Sequence, residues 1–184
     1  MIKDLTTEKA SALAAHITKN IFNVNGKVRG GLKENWIGGV ANCHFNEYDI
    51  FYWLNEAEFS AVILPLAELV GDKKLIIVED FERGLNGKFW WLGCEIENSW
   101  EAFNFFTEET DIMSFYMIGE SEQWCLWAGD DSWIFCAESY LFKQLNAEIL
   151  SLKAMLDKCT EKTRKEYVDL IHAISRLPKS DYYD

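Results

Sequence analysis

The residues able to do chemistry in this chain are five cysteines, three histidines, thirty carboxylates and a few glycine clusters. Cys43 and His44 are adjacent. On a strand, neighbouring side chains point to opposite faces, so these two cannot share one metal. The other cysteines (Cys94, Cys125, Cys136, Cys159) and histidines (His16, His172) lack the short paired spacing of zinc ligands. No metal site and no cofactor are expected. Covalent catalysis needs a nucleophile, a base within hydrogen-bond reach and a group that orients the base. His16 and His172 fall on expected helices beside polar positions, where surface and packing roles are ordinary. His44 lies in a glycine-rich β-region with no Gly-x-Ser-x-Gly elbow. No catalytic residue is assigned, and the chain is not read as an enzyme.

Acid clusters occur at Glu79, Asp80 and Glu82, at Glu95 and Glu97, and at Asp130 and Asp131. A glycosidase needs two carboxylates at a set separation in a cleft, which density along the chain cannot supply. Asp130-Asp131 reads as turn chemistry. The Gly-Lys pair at Gly87-Lys88 lacks both the spacing and the hydroxyl residue of a phosphate loop. Gly30-Gly31 and Gly38-Gly39 read as loop or bulge glycines. Cys125 and Cys136 stand opposite each other if a hairpin closes through residues 129–132, within disulfide reach. An odd, scattered set of five cysteines without an export signal nevertheless reads as reduced, buried thiols.

The elements that must position these groups follow from periodicity. Ala10, Leu13, Ala14, Ile17 and Ile21 have helical spacing, predicting a helix over 7–22 capped by Thr6 or Thr7. Residues 36–97 read mainly as strands, with residues 75–78 a short apolar run of the central-strand kind. Asn86-Gly87 signals a hairpin. Residues 59–70 fit either a strand ending near Pro65 or a short helix that Pro65 opens. A helix capped by Asn98 or Ser99 carries Trp100, Phe103 and Phe106. Residues 112–118 form a strand, and residues 124–128 and 133–137 a hairpin with large residues on both faces. Either protein covers both faces or one awaits a partner. Phe142, Leu145, Ile149, Leu152 and Leu156 form an amphipathic stripe, and Tyr167, Leu170, Ile171, Ile174 and Leu177 another. A short break joins them, predicting an αα-hairpin.

Residues 1–184 therefore read as one α+β domain. A twisted, mainly antiparallel sheet is packed with an N-terminal helix and a C-terminal αα-hairpin. The net charge is −12, with the two ends mildly basic and residues 34–142 strongly acidic. Such a field repels nucleic acid and anionic membranes and favours basic partners. Eight Trp, twelve Phe and seven Tyr are a large apolar load for so short a chain, a hint toward a recognition surface, although aromatic-rich cores without one are common. The first residues have no apolar signal-peptide core, and the longest apolar stretch is broken by Pro65 and Glu68, so a cytoplasmic location is expected.

Asp111-Ile-Met-Ser-Phe-Tyr-Met-Ile, then Glu122-Gln-Trp124-Cys-Leu-Trp127, then Asp130-Asp131-Ser-Trp133-Ile-Phe135, resembles a stretch of small acidic bacterial immunity proteins. These belong to polymorphic-toxin and contact-dependent inhibition systems, and the preceding Trp100-Glu-Ala-Phe103-Asn-Phe-Phe106 helix fits the same pattern. The resemblance spans about a fifth of the chain. It implies stoichiometric neutralisation of a cognate toxin, with a basic toxin domain as partner and no nucleic acid or membrane bound. The expected binding face is Glu120, Glu122, Trp124, Trp127, Asp130, Asp131 and Trp133, acids for steering beside aromatic anchors. The alternative is a small-molecule binder or enzyme with an aromatic pocket between sheet and helices.

Overall fold

The structure is a computed structural model that describes residues 2–22, 32–43, 56, 59–129, 132–142 and 144. Helix α1 (Thr7–Asn20) begins where Thr6 caps it, its hydroxyl oxygen accepting from Lys9 N at 3.4 Å. Glu8 in the first turn and Lys19 in the last complement the helix dipole. Ala10, Ala14 and Ile17 are buried along one stripe, continued by Ile21. The helix stops short of residue 22 because Phe22 leaves it to bridge Leu32.

The strands are β1 (Lys3–Asp4), β2 (Trp36–Cys43), β3 (Lys74–Glu79), β4 (Arg83–Leu85), β5 (Lys88–Trp90), β6 (Gly93–Glu97), β7 (Phe115–Gly119), β8 (Trp124–Ala128) and β9 (Ser132–Glu138). Seven of them form one antiparallel sheet in the order β1-β6-β3-β7-β8-β9-β2, while β4 and β5 make a separate ribbon. The fold is thus mixed α+β around an antiparallel sheet. The run at residues 75–78 falls in β3, hydrogen-bonded on both sides to β6 and β7. Strand β7 starts at Phe115 rather than at residue 112, since Arg83 engages the Asp111 carbonyl there and Ser114 turns its hydroxyl to Asp80.

Residues 59–70 are helical. A π-helical turn (Phe59–Ile63) leads directly into α2 (Leu64–Val70), and Pro65, which has no N–H to donate, stands where the π turn gives way to the α-helix. Gly71, at φ 77°, closes the helix in the left-handed region that glycine adopts freely. Helix α3 (Trp100–Glu109) is capped by Ser99, whose Oγ accepts from Ala102 N at 3.2 Å.

Alternation along the strands sends apolar side chains to both faces. Cys94, Ile77, Met117, Leu126 and Phe135 lie in register across the sheet, on the side where α2 and α3 contribute Leu66, Phe103 and Phe106. Val78, Tyr116, Ile118, Cys125 and Cys136 face the other side, under the α1 stripe. Both faces are covered, one of them by the mid-chain helices. The expected C-terminal αα-hairpin lies outside the described residues; α4 (Ser139–Phe142) is the last described helix.

Gly38 and Gly39 are strand residues, not loop glycines. They pair with Cys136 and Phe135, and the irregularity in β2 comes later, between Val40 and Asn42. A Cβ on Gly38 would lie 2.9 Å from the Phe135 carbonyl oxygen and 3.0 Å from Leu32 Cδ1, so close packing demands glycine here. Among the described residues no helix is long and apolar enough to cross a membrane.

Candidate functional site

Three turns meet at one end of the sheet. Asp72 follows α2, Asn98 precedes α3, and residues 120–123 join β7 to β8. Asp72 is nearly buried and accepts three hydrogen bonds. Ser121 N donates at 2.7 Å to Oδ1, while Ser121 Oγ and Trp124 Nε1 donate to Oδ2 at 2.9 and 2.8 Å. Gly119 leaves room for this carboxylate, since a Cβ there would sit 1.9 Å from Oδ2. The Glu120 carboxylate accepts from Lys73 N at 3.1 Å, and Asn98 Nδ2 donates to the Asp72 carbonyl at 3.3 Å.

Glu122 stands at the tip of this turn with φ 57°, a left-handed conformation that costs a non-glycine residue about 1 kcal/mol. Its carboxylate meets His16 Nε2 of α1 at 3.2 Å, and Asn20 Nδ2 stands 3.0 Å from the other ring nitrogen. An Asn20 amide that donates to Nδ1 leaves the Nε2 proton for Glu122. Both partners are more than a third exposed, so the pair contributes at most about 1 kcal/mol. Beside it an open groove of about 360 Å3 runs between α1 and the sheet. Leu5, Leu13 and Ile76 floor it, and Lys9, His16, Glu95 and Glu122 rim it. Its lining contains no Phe, Tyr or Trp, unlike the aromatic pocket expected between sheet and helices.

Of the seven residues assigned to a binding face, the described side chains are those of Glu120, Glu122, Trp124 and Trp127, and the two tryptophans lie on opposite faces of β8. Glu120 and Glu122 are exposed. Trp124 is fully buried and belongs to the core on the α2–α3 side, so its side chain is unavailable to a partner. The alternation that points Trp124 to that face also points Trp127 to the other, where it is half-buried and donates from Nε1 to Asp80 at 2.8 Å. Trp133 pairs with Asn42 and Ala128 in β9, and its side chain lies outside the described residues, as do Asp130 and Asp131. His44 and His172 are likewise outside them.

A second polar cluster, which sequence reasoning missed, sits at the base of the β4–β5 ribbon. Glu79 is fully buried and is gripped by Arg83, with Nε at 2.9 Å from Oε2 and Nη2 at 2.6 Å from Oε1. The guanidinium also donates to Asp111, from Nη1 to Oδ2 at 2.8 Å and from Nη2 to the carbonyl at 3.0 Å. The hydrogen bond to Glu79, then that to Asp111, pushes the guanidinium pKa up. Arg83 in turn holds the Asp111 carboxyl below its ordinary range. The i, i+4 spacing of Glu79 and Arg83 was the available signal, but across a strand end it has no helical meaning.

Cys125 and Cys136 occupy directly paired positions, as expected, and are free buried thiols; Cys136 Sγ lies 3.4 Å from the Cys125 carbonyl oxygen. Burial raises the Cys125 thiol well above its ordinary value and pushes Cys94 up to about 12. Among the described residues no group of three or more His, Cys, Asp or Glu side chains is placed to hold a metal ion.

Charge is the dominant property of the surface. Within residues 59–129, nine carboxylate side chains are exposed against two lysines, Lys73 and Lys88. No protein-family model, no curated protein and no solved structure matches this chain.

Proposed function

We propose that this chain is a stoichiometric protein-binding module of the immunity kind, neutralising a basic toxin domain by occupying its surface. The observation that carries the reading is the excess of exposed carboxylates over lysines in the body of the fold. Such a surface raises the encounter rate with a basic partner, by a factor that falls as salt rises. Glu120 and Glu122 contribute to steering from positions where the Lys73 backbone N–H and His16 contact them. Prior ordering lowers the entropic cost of docking.

The test is a competition in dense contact between the parent strain and a sibling lacking this gene. Death of the sibling, reversed by expressing this protein alone, is the expected result. Equal competition, with the parent expressing its toxins, overturns the reading. Charge reversal at Glu120 and Glu122, and separately at Asp130 and Asp131, locates the face. A variant that changes neither affinity nor its salt dependence removes that pair from the interface.

A second reading, binding of a small ligand, draws its support from the α1 groove, whose volume is at the lower end of ligand sites. Leu13→Trp would fill that groove. Unchanged rescue by this variant separates the protein-binding reading from the ligand reading.

A further inference from the structure

Strands β3 and β6 are antiparallel neighbours, which a connection of two to five residues would join. The chain instead takes residues 80–92 to connect them and builds the β4–β5 ribbon on the way. That excursion is well formed. Asn86 and Gly87, at φ 52° and 76°, turn it in the manner of a type I′ hairpin. Gly84 faces Phe89 across the ribbon, and a Cβ on Gly84 would lie 2.9 Å from Phe89 Cε1, so the ring lies over the bare backbone. The base is anchored by Arg83 to buried Glu79 and to Asp111.

On this anchored ribbon the chain displays apolar side chains to solvent. Phe81 is 47% exposed, Leu85 64% and Phe89 67%. The last two are the most exposed large apolar side chains among the described residues. Pairing places Phe89 on the face with Gly84, and Leu85 on the opposite face with Lys88. A ribbon with exposed apolar groups on both faces is not satisfied by a flat surface. It is satisfied by a cleft that closes on both sides. Around its base stand two exposed carboxylates, Glu82 beside Phe81 and Asp111, the latter paired with Arg83, while the ribbon itself carries one exposed cation, Lys88.

We infer that the β4–β5 ribbon is the anchor by which this protein docks. It inserts Leu85 and Phe89 into an apolar cleft with a basic rim on a partner protein, and the basic rim is what the acidic base selects. The inference rests on the protein-binding reading above and names its contact. A rigid, pre-ordered element bearing an aromatic and an aliphatic anchor is the economical form for such a contact, because little motion is lost on binding.

The rescue assay tests the anchor with the full-length chain under graded expression in the gene-deleted sibling, facing the parent strain. Phe89→Ser and Leu85→Lys each raise the expression needed for half-rescue by about tenfold or more, the scale of removing a hot-spot residue. Leu69→Ser, altering an exposed apolar side chain of α2, leaves it unchanged. Circular dichroism and urea midpoints confirm that each variant is folded, and the two ribbon variants back each other if one is not. If the unaltered chain fails to rescue, the protein-binding reading falls and takes the anchor with it. Should the unaltered chain rescue while both ribbon variants rescue equally well, only the anchor is overturned. A concentration-dependent dimer in light scattering that Phe89→Ser abolishes would also overturn it, assigning the ribbon to a second copy of this chain.

Discussion

Asp72→Ala removes the acceptor that three donors share at the junction of the α2–β3 and β7–β8 turns. The two Ser121 donors are only part-buried, and water can replace the carboxylate for them. Trp124 Nε1 cannot turn to water, because the whole side chain is buried. Loss of this charge-assisted bond leaves the buried N–H orphaned, at the upper end of about 1–3 kcal/mol, so the variant is destabilised by about 3 kcal/mol. In a chain of this size that lowers the thermal midpoint by about 6–12 °C. Trp124→Phe removes the donor and some ring volume, and leaves Asp72 with its Ser121 bonds, at a cost of about 1–2 kcal/mol. In the double variant no donor is left orphaned. Its loss is therefore smaller than the sum of the single losses by about 1–2 kcal/mol. Urea denaturation followed by far-ultraviolet circular dichroism measures all four corners of the cycle. Additivity within about 0.5 kcal/mol would refute the claim that the indole depends on this carboxylate.

Arg83→Ala leaves the buried Glu79 carboxylate without its partner and costs about 3 kcal/mol, whereas Asp111→Ala, at a largely exposed carboxyl, costs under about 1 kcal/mol; similar thermal midpoints for the two variants would contradict this. The hydrogen bond from Lys74, helped by the charges of Lys74, Lys3 and Lys9, holds the Glu95 carboxyl below its ordinary value. A depressed folded-state value stabilises the fold above the unfolded-state pKa, and that contribution is lost as pH falls through the folded-state value. Lys74→Met therefore flattens the acid limb of a urea-midpoint-against-pH curve, and an unaltered limb counts against the pair. Cys94, Cys125 and Cys136 remain unlabelled by a thiol reagent at pH 8 in the native protein and react on unfolding, as peptide mass mapping reads directly; labelling of any of the three in the folded state contradicts their burial.

Local signals were legible in the residues themselves. The α1 stripe, the Ser99 cap, the Asn86-Gly87 turn and the opposition of Cys125 to Cys136 all depend on neighbours a few residues apart, or on a short loop that sets the register. The apolar run at 59–70 was ambiguous for the converse reason. Its side chains suit a buried strand or a buried helix, and only packing against α3 and the sheet distinguishes them. Alternation along β8 sends Trp124 and Trp127 to opposite faces, against the single binding face expected for both, and alternation names two faces without saying which of them water reaches. Tertiary structure decided that, by laying α2 and α3 over one face and α1 over the other and so removing Trp124 from the expected surface.

Tertiary structure likewise made the polar contacts. Trp124 reaches Asp72 across 52 residues, Arg83 reaches Asp111 across 28, and His16 meets a glutamate more than a hundred residues away. Composition determined the sign and density of surface charge, because carboxylates outnumber the apolar fold's capacity to hide them. Which of those charges stand free, and which are spent on holding turns together, depends on distances that exist only once the sheet order brings remote segments side by side.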